Sequence, residues 1–198
     1  MAETLRESDP VRVAAALANA DRLLPEFRAI INTMPAQERG PGIYLSEMFL
    51  FYCVVRPLAP KRILESGRDI GGSTCLLANC FPDAHIISVE FDRESPRAAL
   101  ALERLRPHRH VECLFGDSRE LLPKFLQPGD PVLIDGPKEF RALKLALRLL
   151  RTGKPSVVFV HDLPAGSPAR QFVDRHWPGA FFSDHPDFFA RFCTLDDA

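Results

Sequence analysis

RILESGRDIGGSTCLLA (residues 62–78) is the stretch of the chain that decides its fold. A short apolar run ends at Glu65, and a turn containing Gly67, Gly71 and Gly72 leads into a second apolar segment. This order is typical of a buried strand, a tight turn and a helix, because glycine permits close approach of the backbone. The stretch therefore predicts the first strand–turn–helix unit of an α/β domain.

Four more apolar runs follow this unit, and helical patterns separate them. The five predicted strands cover residues 62–65, 85–90, 111–115, 132–135 and 156–161. The helices between them are predicted after Gly72, at Ser95-Pro96, near Ser118 and over residues 139–150. Such alternation indicates a Rossmann-like, doubly wound α/β fold: a mostly parallel sheet with helices on both faces.

The segments that flank this region are predicted to be mainly helical. Asp9-Pro10 begins one helix, residues 35–42 form a loop by their breakers, and residues 44–55 form an apolar second helix. We expect residues 1–58 to form a helical cap on a core of residues 59–198, within one domain overall.

In the tail, residues 169–176 predict a short helix, whereas Phe181-Phe182 and residues 189–194 predict an antiparallel hairpin. The apolar helix over residues 44–55 and this phenylalanine-rich tail could supply the face of a homodimer.

Composition narrows the class of partner. The 198 residues carry a net charge of -1, and no apolar run reaches the length of a membrane span. We therefore expect a small-molecule partner rather than nucleic acid or a membrane. The start of the chain lacks the pattern of a secretion signal, and the five cysteines have no disulfide or zinc spacing. Both features favour the cytoplasm.

Every predicted strand delivers an ionisable side chain to the carboxyl edge of the sheet, where open α/β folds bind ligands. These side chains are those of Glu65, Glu90, Asp117, Asp135 and the pair His161-Asp162. Because all five strands share the feature, the sequence predicts an active cleft at this edge.

The first turn indicates the class of cofactor. Its glycines do not follow the G-x-G-x-x-G spacing of dinucleotide-binding proteins, and Asp69 occupies the middle of the turn. Glu65 and Asp69 would repel a pyrophosphate. Both suit a ligand with cationic centres, such as the sulfonium and ammonium of S-adenosylmethionine.

The next two strand ends are predicted to hold the rest of that cofactor. Glu90 can accept hydrogen bonds from a ribose diol, and Phe91 beside it can pack on adenine. Asp117 and Ser118 are placed to meet the adenine edge. Ser118 is also predicted to cap the following helix, and capping alone would account for it equally well. For Glu90, the alternative is a solvated strand end.

The same residues resemble a known family. Residues 65–73 are similar to the E-x-G-x-x-x-G-x-S loop of class I S-adenosylmethionine-dependent methyltransferases of the catechol and caffeoyl-CoA O-methyltransferase type, with Glu65, Gly67, Gly71 and Ser73 at the matching positions. The similarity runs from about Gly42 to Asp162. It implies methyl transfer from S-adenosylmethionine to a small-molecule acceptor, with a hydroxyl as the expected group.

The resemblance also implies a catalytic site. Residues 135–138, Asp-Gly-Pro-Lys, are similar to the family's D-x-x-K, in which the Asp binds a divalent metal and the Lys approaches the substrate hydroxyl. The family has Asp-Asn after the fifth strand, whereas this chain has His161-Asp162. The metal ligands would be Asp135, His161 and Asp162. Since imidazole suits Mn²⁺, Fe²⁺ or Zn²⁺ better than Mg²⁺, the metal is expected to differ or to be absent.

Two residues are candidates for the base that removes the acceptor's proton. Lys138 could act if burial lowered its pKa, and His161 titrates near neutrality in its unperturbed state. Asp135 would bind the metal or orient the base. The alternatives are a solvated lysine for Lys138 and a structural hydrogen bond for His161.

Two other functions compete with methyl transfer. One is a non-catalytic adaptor that keeps the methyltransferase fold, which the changed metal pair favours. The other is a nicotinamide-dependent oxidoreductase. Such an enzyme would need a late Tyr-x-x-x-Lys pair, whereas Tyr44 and Tyr52 both precede the sheet.

Overall fold

Strands and helices alternate through most of the chain, as predicted. The computed structural model describes residues 10–38 and 42–197, with side chains from residue 17 onward. The strands are β1 (Arg62–Ser66), β2 (His85–Glu90), β3 (Val111–Phe115), β4 (Pro131–Ile134) and β5 (Val157–Val160). The helices are α1 (Pro10–Thr33), α2 (Leu45–Val55), α3 (Gly72–Cys80), α4 (Pro96–Leu105), α5 (Ser118–Phe125), α6 (Glu139–Leu150), α7 (Pro168–His176) and α8 (Pro186–Phe192).

Two of the sequence predictions fall beyond these ranges: Asp9, as the residue that caps α1, and the loop at residues 39–41 lie outside the described residues. None of the described helices has an apolar stretch of the length that a bilayer requires. The division of the chain at residue 58 stays a prediction.

The five strands form one parallel sheet in the order β3-β2-β1-β4-β5. The strand order reverses between β1 and β4, and open α/β sheets bind ligands at the carboxyl end of such a point. Ser66 of β1 pairs with Ile134 of β4, which pairs in turn with Val160 of β5. The loops after these three strands therefore begin level with one another.

The sheet separates two hydrophobic cores, because successive residues of a strand point to opposite faces. Ile63 and Leu133 pack on one face with residues of α1, α2, α3 and α8. Leu64 and Val132 pack on the other face with residues of α5 and α6. The predicted doubly wound arrangement, with helices on both faces, is thereby confirmed.

Side chains at the starts of α4 and α5 cap these two helices. Ser95 caps α4 as predicted, since its hydroxyl accepts a hydrogen bond from the backbone N–H of Arg97 at 3.2 Å. The residue that caps α5 is Asp117, whose carboxylate accepts from the N–H of Arg119 at 2.8 Å. The prediction that Ser118 is the cap was wrong, because the stronger acceptor one residue earlier takes that position.

The predicted C-terminal hairpin is wrong. Residues 186–192 form helix α8, which begins after His185. Phe188 and Phe192 are four residues apart, so they share one helical face, and both rings pack on Phe49 of α2 with centroids 6.4 Å and 5.0 Å away. Because α2 and the tail cover each other within one chain, they no longer support the predicted homodimer face. The homodimer itself stays a prediction.

Candidate active site

The glycine-rich turn after β1 packs directly on the loop after β4. Gly67 has a φ of +87°, and a Cβ there would lie 2.5 Å from the backbone nitrogen of Gly136 and 2.9 Å from the carbonyl carbon of Asp135. The backbone N–H groups of Asp135 and Gly136 both donate to the carbonyl of Ser66, at 2.7 Å and 2.9 Å. Only glycine fits at position 67, and this fit joins the predicted cofactor turn to the predicted catalytic residues.

Glu65 lies beneath the turn rather than in the cleft. Its side chain is fully buried and accepts hydrogen bonds from Ser73 at 2.6 Å, Thr74 at 2.5 Å and Ser88 at 2.5 Å. Burial raises the pKa of Glu65, and the three hydroxyl donors oppose that rise. Glu65 and Ser73 therefore fix α3 to the sheet from below, and both oxygens of the carboxylate are already used.

Glu90 joins the tip of β2 to the same turn. One carboxylate oxygen accepts from the N–H groups of Arg68 at 3.0 Å and Asp69 at 2.7 Å, and the other accepts from the N–H of Phe91 at 2.7 Å. The N–H of Asp92 also donates to the second oxygen, at 3.4 Å, so four backbone N–H groups use the roughly four acceptor positions of the carboxylate, and a ligand hydroxyl would bind in place of one of them. The ring of Phe91 is 74% exposed beside it and offers a flat apolar surface.

Two of the predicted acidic residues are neutralised by arginines that the sequence analysis missed. The carboxylate of Asp69 forms a bidentate ion pair with Arg97, and that hydrogen bond holds the pKa of Asp69 below its usual range. Asp117 pairs with the guanidinium of Arg119 at 2.5 Å, which lowers the pKa of Asp117. Asp69 is thus already paired with a cation in this structure, and its part in binding a cationic ligand stays a prediction.

Arg68 is a buried cation in the same turn, and the sequence analysis gave it no role. Its side chain is 1% exposed, donates to the carbonyl of Ser88 at 2.7 Å and lies 4.8 Å from the ring centroid of Phe115. The cavity that remains beside the turn measures about 50 Å³ and is lined by Asp69, Glu90, Asp92, Ser95, Arg97 and Ala98. Ligand pockets usually measure about 300–1,000 Å³, so this cavity is smaller than a usual ligand pocket, and the ion pair of Asp69 and Arg97 forms one side of it.

The four residues predicted to form the catalytic site lie in contact at the ends of β4 and β5. The Nδ1 atom of His161 lies 2.6 Å from Oδ1 of Asp135. The Nζ atom of Lys138 lies 2.5 Å from Asp135 and 2.6 Å from Asp162. The backbone φ of Asp162 is +58°, a left-handed value that is costly for a residue other than glycine and clusters at functional sites.

Glu47 of α2 completes this cluster from a distant part of the chain. Its Oε2 atom lies 2.9 Å from Nε2 of His161, so the imidazole is held between two carboxylates. Strand-end patterns could not identify a residue on a helix. One signal was available, because Glu47 is the only charged residue in the apolar sequence LSEMFLFYCVV.

The cluster fixes the protonation state of both candidate bases. Burial disfavours the charged imidazole, but the carboxylates of Asp135 and Glu47 outweigh burial and raise the pKa of His161 to about 10. Burial likewise opposes the charge of Lys138, whereas Asp135 and Asp162 raise its pKa overall. The condition under which Lys138 was a candidate base, a pKa lowered by burial, is therefore not met, and the pKa of His161 does not stay near its unperturbed value. Both side chains are cations at neutral pH.

The donor atoms fit a divalent ion by their spacing. One ligand atom each from Asp135, His161 and Asp162 lies within 4.8 Å of the other two, and this mixed oxygen and nitrogen set suits Mn²⁺, Fe²⁺ or Zn²⁺. The ammonium of Lys138 already lies between the two aspartates. A metal ion and Lys138 would therefore compete for the same carboxylates.

A larger cavity opens on the other side of Glu47. It measures about 520 Å³, a size suited to a small molecule, and lies between the start of α2 and the tail. Its lining residues are Tyr44, Ser46, Glu47, Ser183, Asp184, Phe189, Cys193, Asp196 and Asp197. Since Glu47 touches both this cavity and His161, the cavity lies next to the charged cluster.

Comparison with known proteins adds one family and several solved structures. The family model described as "Methyltransferase domain" matches residues 64–163. A search of curated proteins finds no match. TomG, an O-methyltransferase from Streptomyces achromogenes involved in tomaymycin synthesis and solved with S-adenosylmethionine, is 23% identical, with 86% of this chain and 78% of TomG covered and a TM-score of 0.52. CalS11, a TDP-rhamnose 3′-O-methyltransferase of calicheamicin biosynthesis, is 16% identical, with 86% and 90% covered and a TM-score of 0.54. These two structures share the fold of this chain.

Proposed function

The chain belongs to the methyltransferase domain family, and on that premise we propose that it transfers a methyl group from S-adenosylmethionine to a hydroxyl of a small molecule. The observation that carries the proposal is the contact of Gly67 with Asp135 and Gly136. Through this contact, the turn that would hold the cofactor lies next to the charged cluster at the ends of β4 and β5. The two O-methyltransferases that share the fold support a hydroxyl as the acceptor group.

The cofactor would lie along the ends of β1, β2 and β3. Its ribose hydroxyls would donate hydrogen bonds to the carboxylate of Glu90 in place of some of the backbone N–H groups there, and its adenine would pack on Phe91 near Ser118. The methionine part would pass the backbone of the turn at Gly67 and Gly71. This placement directs the sulfonium methyl group toward the loop after β4.

Methyl transfer is an in-line displacement, so alignment of acceptor oxygen, methyl carbon and sulfur matters most. As the oxygen–carbon bond forms, the carbon–sulfur bond breaks, and its electron pair leaves on a neutral thioether. Lys138 and His161 are cations that stabilise negative charge on the acceptor oxygen. Asp162 is half exposed and lies beside Lys138, so its carboxylate is placed to receive the acceptor's proton.

A divalent ion would be held by Asp135, His161 and Asp162 and would polarise the acceptor hydroxyl as a Lewis acid. Lys138 would then have to leave the two carboxylates. Replacing Lys138 with Met should therefore strengthen Mn²⁺ binding by the protein. Equal Mn²⁺ affinity in both proteins would count against a metal at this position.

A non-catalytic adaptor is the second candidate function, and the cavity of about 50 Å³ beside Glu90 favours it. Calorimetry with S-adenosylmethionine, its demethylated product and NAD separates the candidates. We expect both S-adenosyl compounds to bind and NAD not to bind. Mass action gives about 2.7 kcal/mol of stabilisation at a hundredfold excess over Kd. Absence of binding by either S-adenosyl compound would contradict the methyltransferase proposal.

A further inference from the structure

A second group of potential metal ligands lies outside the active-site cluster. It comprises Glu38 in the 3-10 turn after α1, Cys75 in α3 and His108 in the loop that leads into β3. One ligand atom of each residue lies within 4.8 Å of the other two. The Oε2 atom of Glu38 and the Nε2 atom of His108 are 3.1 Å apart. Three elements that are distant in sequence thus bring a sulfur, a nitrogen and an oxygen within 4.8 Å of one another.

The group is buried, which sets it apart from the acidic clusters common on protein surfaces. Cys75 has no exposed surface, Glu38 is 5% exposed, and the side chain of His108 is 13% exposed. Asn79, one turn after Cys75, donates to Oε2 of Glu38 at 3.0 Å and to the carbonyl of Cys75 at 2.9 Å. A polar group that hydrogen bonds to a ligand from outside is the arrangement that orients metal ligands in proteins.

The chemistry of the three donors selects zinc. Thiolate and imidazole favour Zn²⁺ over the oxygen-seeking Mg²⁺ and Ca²⁺. At zinc bond lengths of about 2.0–2.3 Å in tetrahedral geometry, neighbouring ligand atoms lie about 3.3–3.8 Å apart. The 3.1 Å between Glu38 and His108 is close to that range. A thiolate and a carboxylate would also balance the two charges of the ion, as a buried site requires.

We propose that Glu38, Cys75 and His108 form a zinc site that fastens the turn after α1 to α3 and to the start of β3. The fourth position of the ion is left to water, because three protein ligands are present. The site stabilises the packing of the N-terminal helix on the sheet. It is independent of methyl transfer, since none of its ligands belongs to the cluster at β4 and β5.

Cobalt substitution in the full chain tests the proposal. After treatment with chelator and its removal, Co²⁺ should give the near-ultraviolet charge-transfer band that only a cysteine thiolate ligand produces. Added Zn²⁺ should abolish the band. The cluster of Asp135, His161 and Asp162 contains no sulfur, so Co²⁺ bound there cannot produce this signal. Absence of the band in the folded natural protein would overturn the proposal, whatever the variants do.

Two variants and a matched control assign the ligands. Cys75→Ser should remove the band, and His108→Gln should remove it or weaken Co²⁺ binding at least tenfold. Cys80→Ser replaces another buried cysteine of the same helix and should leave the band unchanged. Zn²⁺ should raise the melting temperature of the natural protein and of Cys80→Ser by more than that of His108→Gln, because the cluster of Asp135, His161 and Asp162 is intact in all three proteins. A band that persists in Cys75→Ser would place the metal elsewhere and contradict the proposal.

Discussion

The two halves of the carboxyl edge hold their charged groups in different ways. At β4 and β5, Lys138 and Asp162 are about half exposed and lie in contact with Asp135 and His161. At β1 and β2, Glu65 is covered by hydroxyl groups, and Glu90 binds backbone N–H groups. The half that would perform the chemistry is therefore assembled in advance, whereas the half that would bind the cofactor has to exchange internal contacts for ligand contacts. Preorganised charges favour catalysis, and exchangeable contacts favour binding and release.

The largest effect is expected from a substitution at Gly67, where the two halves of the edge are in contact. Gly67→Val would place a branched side chain on the backbone of Asp135 and Gly136 and would force a positive φ on valine. Overpacking alone costs about 1–3 kcal/mol, and the backbone conformation adds a further cost. We expect a large loss in the free energy of unfolding, measured with urea. Gly153→Val is the matched control, since Gly153 has a φ of +67° and no atom within 4 Å of its Cβ position. Equal losses in both variants would show that the contact at Gly67 adds nothing.

A substitution in the half at β4 and β5 should lower the turnover rate without weakening cofactor binding by the half at β1 and β2. Asp135→Asn removes the carboxylate that both Lys138 and His161 contact, so both cations lose their position. We expect kcat to fall about 10²- to 10³-fold, while the Kd for S-adenosylmethionine changes less than about threefold. Asp187→Asn, an exposed change in α8, is the control. A parallel loss of cofactor affinity in Asp135→Asn would mean that the halves cannot be separated.

The cofactor half should show the opposite pattern. Glu90→Ala removes the predicted ribose acceptor and the carboxylate that orders the turn at Arg68 and Asp69. Loss of charge-assisted hydrogen bonds should cost about 1.5–3 kcal/mol, which corresponds to roughly ten- to a hundredfold in Kd for S-adenosylmethionine. The kcat at saturating cofactor should change little. Glu94→Ala, four residues later, controls for the loss of one negative charge. An unchanged Kd in Glu90→Ala would show that Glu90 orders the turn but does not bind the cofactor.

The sequence predicted those contacts at the carboxyl edge that follow from the register of adjacent strands, and it missed those made by residues on helices. Asp135 and His161 directly follow paired residues of adjacent parallel strands, so sheet register alone brings them together. Glu47, by contrast, reaches His161 from a helix that precedes the sheet, and no local pattern encodes that packing. The pairing of Asp69 with Arg97 escaped prediction for the same reason, because Arg97 lies in α4, 28 residues further along the chain.

In the C-terminal tail, the spacing of the phenylalanines did not distinguish a helix from a strand. Phenylalanines at 181, 182, 188, 189 and 192 satisfy both an alternating and a helical pattern over so short a segment. The structure resolves this ambiguity through Phe49, which both Phe188 and Phe192 contact. In a strand these two residues would lie roughly 13 Å apart, whereas one helical turn brings both rings to Phe49. Tertiary contact, rather than local preference, therefore decides for α8.

The stability of the protein is also expected to depend on pH. The pKa of His161 rises from an ordinary value of 6.5 to about 10 in the folded protein, so the folded state binds this proton more tightly than the unfolded state. The resulting stabilisation is complete below about pH 6.5 and is lost as the pH rises through about 10. The free energy of unfolding should therefore fall over this interval, and His161→Gln should show a shallower decline. Identical slopes in both proteins would contradict the charged state assigned to His161.

A crystal structure of the complex with S-adenosylhomocysteine tests most directly whether the two halves form one site. The account predicts that the ribose hydroxyls bind Glu90, that the pair of Asp69 and Arg97 is open, and that the sulfur faces Lys138 at a distance of about 6 Å or less, which leaves room for a methyl group and an acceptor oxygen. A ligand bound elsewhere, or a sulfur directed away from Lys138 and His161, would contradict the account.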